Sequence, residues 1–309
     1  MSLDSEYHAP VLVAEVVEFL RDCGRILDGT LGGGGHSAAL LRAGIPSVVG
    51  IDRDPQALAA ASTRLHDYSV SGRFVALESN FALLNELPAL DGMVFDGILL
   101  DLGISSHQID DRDRGFTFRP GARLDMRMGR DAAADAAEIL NDEDEASLTT
   151  IFKRYGDEPR AARLAREIVR RRGNRRFETS DDLVGAIRAV LGSRSGAAEF
   201  ARLFQAVRIA VNDELQGLLH ALPQLRDRLA PGGTLVVIAY HSGEDRIAKN
   251  AFRAWSTDCV CPPKHPFCTC QGRALGATLT RRARVASADE IAQNSRARSA
   301  RLRAWQSVK

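Results

Sequence analysis

Four consecutive glycines, Gly32 to Gly35, follow a carboxylate and precede a histidine in the stretch Leu27-Asp28-Gly29-Thr30-Leu31-Gly32-Gly33-Gly34-Gly35-His36-Ser37. Glycine lets a backbone approach a ligand closely and turn through positive φ. Asp28 closes one apolar run, and Asp52 closes the next, Ser47-Val48-Val49-Gly50-Ile51-Asp52. A carboxylate in that second position suits the two hydroxyls of a ribose. Together they predict a nucleoside-containing cofactor. The dinucleotide pattern G-x-G-x-x-G would need a third glycine where this chain has Ser37, and Asp28 would repel a pyrophosphate. No Gly-Lys-Ser/Thr follows, which excludes a P-loop. Asp28 suits instead the cationic amino group of a methionine-like moiety. S-adenosyl-L-methionine, cationic at both sulfonium and amine, is the cofactor this predicts.

Two further apolar runs end in groups fit for such a site. Asp101 closes Asp96-Gly97-Ile98-Leu99-Leu100-Asp101 and leads into Leu102-Gly103-Ile104-Ser105-Ser106-His107-Gln108. A carboxylate behind four mostly apolar residues is a poor surface charge and a good site residue. The run Thr234 to Ile238 leads into Tyr240-His241-Ser242-Gly243-Glu244-Asp245-Arg246. Phe81, after Glu78-Ser79-Asn80, is placed either to cover an adenine or to begin the core of the next helix. Position alone favours the core.

These residues need strands to carry them. Runs at Arg25 to Asp28, Ser47 to Asp52, Arg73 to Leu77 and Asp96 to Asp101 alternate with mostly helical patterns. Asp54-Pro55 is a good cap and first turn for a helix reaching Leu65. The rhythm predicts an α/β fold with a doubly wound, mostly parallel sheet, its strand ends gathered at one edge where ligands bind. From 109 to 212 no strand pattern is visible. Helical patterns at Ala134 to Leu140, Ala146 to Tyr155, after Asp157 and Pro159, at Asp181 to Leu191 and at Glu199 to Leu222 predict an inserted all-α domain. Residues 1–108 and 213–309 then form the discontinuous sheet domain. Leu229-Ala230-Pro231-Gly232-Gly233 reads as a stop and turn before a strand over Thr234 to Tyr240.

The chain has 309 residues, 45% hydrophobic and 26% charged, which excludes a disordered or fibrous class. No apolar run reaches eighteen residues, and Met1 to Pro10 lacks a signal-peptide pattern. Five cysteines are too few for a disulfide scaffold, so a cytoplasmic location is expected. The net charge of +1 conceals an asymmetry. Residues 160–176 hold eight Arg and one Glu; residues 281–309 hold seven Arg and one Lys against Asp289 and Glu290. Each block reads as a solvated helix face or as a phosphate-binding surface. The two together favour nucleic acid, because Arg forks onto phosphate. Cys259, Cys261, Cys268 and Cys270 are spaced C-x-C rather than C-x₂-C. They read more readily as a Pro-rich loop than as zinc ligands, so no metal is expected.

The chain closely resembles the MraW methylase family, bacterial S-adenosyl-L-methionine-dependent methyltransferases of a cytosine N4 in small-subunit ribosomal RNA. The resemblance rests on His8-Ala9-Pro10-Val11-Leu12, the Asp28 to Ser37 stretch, Asp52-Arg53-Asp54-Pro55 and Leu99 to Ser106. It continues through Arg114-Gly115-Phe116, Leu124-Asp125-Met126-Arg127-Met128, Phe204 to Ile209, Val211 to Leu215, Tyr240-His241-Ser242 and Ser295 to Ala300. It implies a class I methyltransferase fold with cofactor residues Gly34, Gly35, His36, Asp52, Phe81, Asp101 and Gln108, overturning the core assignment of Phe81. It also implies 16S ribosomal RNA of the small subunit as partner, with the helical insert contacting RNA. A homodimer is carried as an expectation, and no membrane partner is expected. The chain departs from the family pattern at Gly243, at Gly121-Ala122-Arg123 and at Ala198 to Arg202, all on the expected substrate side.

A cytosine amine is a weak nucleophile, conjugated with its ring. An acceptor must bond one N–H and return density to nitrogen, in line with the sulfonium methyl. The Asp/Asn/Ser-Pro-Pro-aromatic loop of many amino-methyltransferases is absent; Asp101-Leu102-Gly103-Ile104-Ser105 stands there. Asp101 is the first candidate for this role and for receiving the proton, and His241 the second. An N4-cytosine DNA methyltransferase and a non-catalytic RNA-binding assembly factor are the alternatives. A nucleotide oxidoreductase is disfavoured by Ser37 and Asp28.

Overall fold

The computed structural model describes residues 10–259, 261 and 272–308. His8 and Ala9, and Cys268 and Cys270, lie outside the described residues. The chain divides into two compact units. One runs to Gly103 and resumes at Leu215; the other is Ile104–Glu214. The sequence boundaries, 108/109 and 212/213, fall five and two residues from these.

The first unit begins with helix α1 (Val13–Leu20), then β1 (Arg25–Asp28), α2 (Gly35–Arg42) and β2 (Ser47–Asp52). It continues with α3 (Pro55–Arg64), α4 (His66–Val70), β3 (Phe74–Glu78) and β4 (Phe95–Asp101). Asp54 caps α3, its side chain accepting the Gln56 N–H at 3.0 Å ahead of Pro55. β1 pairs in parallel with both β2 and β4. The central strands are apolar between their charged ends, as burial on both faces demands: Ile26, Leu27, Ile98, Leu99 and Leu100 are fully buried.

The second unit is helical: α5 (Ser106–Asp110), α6 (Ala136–Asp142), α7 (Glu145–Arg154), α8 (Ala161–Arg172), α9 (Ser180–Leu191) and α10 (Ala197–Asn212). Its own core gathers Leu140, Leu148, Phe152, Leu164, Ile168, Leu183, Ile187, Leu203 and Val207. α8 is amphipathic in the expected way. Ala161, Leu164, Ala165 and Ile168 are buried, and the arginines take the other face.

One long helix over Glu199 to Leu222 does not form. Asp213 turns to φ 49, and the chain breaks into α10 and α11 (Glu214–Asp227). Helical spacing continues across the break, so periodicity alone could not locate it. Tertiary bonds fix it instead. Asn212 Nδ2 donates to the Met126 carbonyl at 2.7 Å, and Glu214 forks with Arg208 at 2.8 and 2.9 Å.

The sheet resumes with β5 (Leu229–Ala239), followed by α12 (Ser242–Trp255), β6 (Gly276–Thr278), α13 (Ala288–Gln293) and β7 (Arg301–Ser307). Leu229 already pairs with Phe95, so the expected turn at Pro231-Gly232-Gly233 is a register shift within β5. Among the described residues the order is β3-β2-β1-β4-β5-β7-β6. β7 runs antiparallel to both neighbours. By sequence, residues 281–309 read as an Arg-rich surface block. The structure corrects this for Arg303, which is 9% exposed inside a sheet strand and forks onto Asp245 at 2.6 and 3.1 Å. Its charge hides its place in the buried run Leu302 to Trp305.

Candidate cofactor site at the strand ends

Strand order reverses between β1 and β4, which places a crevice at their carboxyl ends. The glycine loop is fastened there by its backbone. Gly29 N–H donates to Leu99 O, and Leu31 N–H to Ile51 O, each at 2.9 Å. Gly34 caps α2 at φ 75, and a Cβ there would lie 3.0 Å from Leu65 and 3.2 Å from Ala61. Conformation and space therefore both require glycine. Gly35 is the first residue of α2, and His36 the second, buried at 5%.

Three carboxylates meet this loop. Asp28 is buried, accepting the Ser37 hydroxyl at 2.7 Å and the Thr30 N–H at 3.3 Å. Burial raises its pKa, against those two donors. Asp52 accepts Gly32 N–H at 2.7 Å and Asp54 N–H at 2.9 Å. Burial pushes its carboxyl up to about 6, although both bonds act to lower it. Asp101 stands at the end of β4. Its N–H donates to Thr30 Oγ1 at 2.5 Å, and its Oδ1 accepts the Tyr240 hydroxyl at 2.9 Å. His36 Nδ1 lies 3.5 Å from its Oδ2. The other ring nitrogen, Nε2, is 2.9 Å from the Val11 carbonyl. A carbonyl only accepts, so that nitrogen carries the proton.

These residues fit the cofactor predicted from the sequence. Asp52 is half-buried rather than sealed, and its two oxygens accept backbone N–H groups. Both Asp52 oxygens retain lone pairs for ribose hydroxyls. Phe81 is half-buried, opening a short 3-10 turn capped by Asn80, whose side chain accepts Ala82 N–H at 3.0 Å. It packs on the same core as Leu77 and Leu100. Both roles weighed for Phe81 thus remain available to one ring.

Other expected site residues sit differently. Gln108 belongs to the helical unit, buried in a capping box at α5: its Oε1 accepts Ser105 N–H at 2.9 Å and its own N–H donates to Ser105 Oγ. His241 caps α12. Its Nδ1 accepts Gly243 N–H at 3.2 Å, and its Nε2 faces Glu244 Oε1 at 3.2 Å. That capping bond occupies the nitrogen lone pair a proton receiver would use. Cys259 and Cys261 are described; with Cys268 and Cys270 outside, the four-thiolate arrangement is not on view. Cys23 packs against the sheet core, and burial, with Asp96 and Asp22 nearby, pushes its thiol up to about 12.

Sequence reasoning missed Thr30 and Tyr240 as partners of Asp101. The partnership with Tyr240 rests on strand pairing. Asp101 pairs in register with Ile238, and Tyr240 is two residues farther along the same chain.

The Arg block 160–176 is largely engaged within its own unit. Arg170 and Arg171 bond Glu167, Arg172 donates to the Leu140 and Glu143 carbonyls, and Arg176 meets Asp142 at 3.1 Å. Arg163 and Arg175 are exposed.

A doubly wound sheet with a glycine loop, a ribose-fitting carboxylate and an acidic β4 end defines a class I methyltransferase. The chain belongs to the MraW methylase family, whose model matches residues 5–308. Among curated relatives, a ribosomal RNA small subunit methyltransferase H of Gemmatimonas aurantiaca is 63% identical over 302 residues, covering 98% of this chain and 96% of its own. One from Heliobacterium modesticaldum is 44% identical, covering 98% and 99%. One from Myxococcus xanthus is 46% identical, covering 98% of each. No described helix is long and apolar enough to cross a membrane.

Proposed function

We propose that this chain transfers a methyl group from S-adenosyl-L-methionine to the exocyclic N4 amine of a cytosine in 16S ribosomal RNA. Near-full-length similarity to ribosomal RNA small subunit methyltransferases supports the RNA class. The observation that carries the chemistry is Asp101, set at the end of β4 beside the glycine loop with its Oδ1 held by the Tyr240 hydroxyl. The cofactor, when bound, supplies an electrophilic methyl on a sulfonium. Asp52 holds the ribose hydroxyls, Phe81 covers the base, and Asp28 sets a negative charge beneath the loop, favouring the cofactor's cationic part. Asp101 accepts one N–H of the amine and receives the proton released there. His241, engaged as a cap, is the weaker candidate for that receiver. Gln108 lies at the head of the helical unit, which contacts the RNA.

The remaining parts of this reading are action on the small ribosomal subunit in the cytoplasm and assembly as a homodimer. The deciding experiment incubates the protein with labelled S-adenosyl-L-methionine and undermethylated small subunits, then identifies the modified nucleoside. Label in N4-methylcytosine of ribosomal RNA is expected. Cofactor binding without transfer would instead favour a non-catalytic assembly factor, and transfer to DNA alone the DNA enzyme. Sedimentation of the purified protein tests the dimer.

A further inference from the structure

Asp101 is met by groups from three separate elements. Thr30 in the β1–α2 loop receives its backbone N–H, His36 on α2 approaches Oδ2, and Tyr240 just past β5 donates to Oδ1. Tyr240 is itself tightly placed. Its ring packs 3.2 Å from where a Cβ on Gly103 would sit, and its N–H donates to the buried Glu244 carboxylate at 2.8 Å. Gly103 has φ 101, so the turn after Asp101 and the ring of Tyr240 fit each other only with glycine there. Burial and the neighbouring Asp101 carboxylate hold the phenol pKa well above its usual value, which keeps the hydroxyl a donor.

A carboxylate on a single-bonded χ2 swings freely unless its oxygens are held. His36 alone does not hold Asp101. Its proton is committed to the Val11 carbonyl, so in the neutral ring Nδ1 presents a lone pair to Oδ2 at 3.5 Å. Tyr240 gives the carboxylate a firm directional bond at 2.9 Å.

We propose that Tyr240 is a positioning residue for methyl transfer: its hydroxyl fixes the Asp101 carboxylate in the orientation that meets the substrate amine. This rests on the methyl-transfer reading above.

Tyr240→Phe removes one oxygen and leaves the ring against Gly103. The experiment compares wild type, Tyr240→Phe, Asp101→Asn and the double variant, measuring kcat and KM on undermethylated subunits and cofactor affinity by calorimetry. Tyr240→Phe is expected to lower kcat at least about tenfold, the effect of losing one bond to a charged group, with KM for RNA unchanged and the protein still folded at the assay temperature. In the Asp101→Asn background the same substitution is expected to lower kcat no further, because the two act as one unit. An unchanged kcat in Tyr240→Phe, or an equal further loss in the Asp101→Asn background, overturns the proposal. If wild type methylates no ribosomal RNA, the functional reading fails by itself. The same four proteins then test the Tyr240–Asp101 coupling through cofactor affinity: a non-additive pair upholds the orientation of Asp101 by Tyr240, and an additive pair overturns it.

Discussion

The carboxylates around the glycine loop and the arginine-paired carboxylates of the helical unit are treated in opposite ways. Around the glycine loop, Asp28 and Asp52 accept from hydroxyl and backbone N–H groups, all neutral donors. In the helical unit, Glu158 meets Arg202 at 2.5 Å, Glu167 meets Arg170 and Arg171, Asp125 meets Arg127, and Glu214 meets Arg208. The titration behaviour follows. Burial pushes Asp52 up to about 6, whereas paired arginines pull Glu167 down to about 2. A carboxylate already neutralised by a guanidinium holds a fold together. One that is partly dehydrated and left to neutral donors is ready for an incoming ligand's cation or hydroxyls.

The sharpest way to break this contrast is Asp101→Asn. Turnover should fall about a hundredfold or more, as for loss of a positioned proton acceptor, with a smaller change in cofactor affinity. If calorimetric affinity falls as far as kcat, Asp101 is mainly a cofactor ligand. Next in size, Arg202→Met strands the buried Glu158 carboxylate. Denaturant unfolding should show a loss of about 3 kcal/mol, and cofactor binding should not move. A shift in cofactor affinity would show that the helical carboxylates are not purely structural.

Asp52→Ala should weaken S-adenosyl-L-methionine by about 1–3 kcal/mol, read by the same titration. The sign of its pH dependence is fixed by the raised pKa. Below about 6 the carboxyl gains a proton and becomes a poorer acceptor, so cofactor affinity should drop as pH falls through that value. In Asp52→Asn this titration should disappear; a persisting step near the same pH assigns it elsewhere. For the fold alone the sign is opposite. The raised carboxyl favours the folded state most at low pH, and that contribution is lost as pH rises through about 6.

The smallest effect concerns the arginines. Replacing Arg170, Arg171 and Arg172 together would disturb bonds to Glu167, Leu140 and Glu143, so it tests folding as much as RNA. Arg163 and Arg175 are the cleaner pair. Replacing both with Ala should flatten the salt dependence of RNA binding by up to about 0.7 per lost phosphate contact, without touching cofactor affinity. An unaltered salt slope would make them solvated surface charges.

Much of this was legible in the sequence, for identifiable reasons. β1 and β2 match their expected bounds because β-branched runs ending in Asp28 and Asp52 have no competing helical reading. The glycine loop was legible because four glycines in a row have few other uses. What stayed hidden depends on distant partners. Arg303 reads as surface until Asp245 is found beside it. The break at Asp213 is set by Asn212 reaching back to Met126. Tyr240 acquires meaning only when β5 is laid against β4.

The insertion between β4 and β5 also bears on the order of folding. Phe95–Asp101 cannot pair with Leu229–Ala239 until more than a hundred intervening residues are brought together, an entropic delay that grows with the length of flexible chain. The helical segment shortens that delay if it condenses first, and its contacts are local enough to do so: α7 packs on α8, and α8 on α9. Pulse-labelled hydrogen exchange during refolding should therefore protect the amides of α7 and α8 before those shared by β4 and β5. The segment that separates the two strands in sequence thereby sets when the sheet edge carrying Asp101 and Tyr240 comes into being.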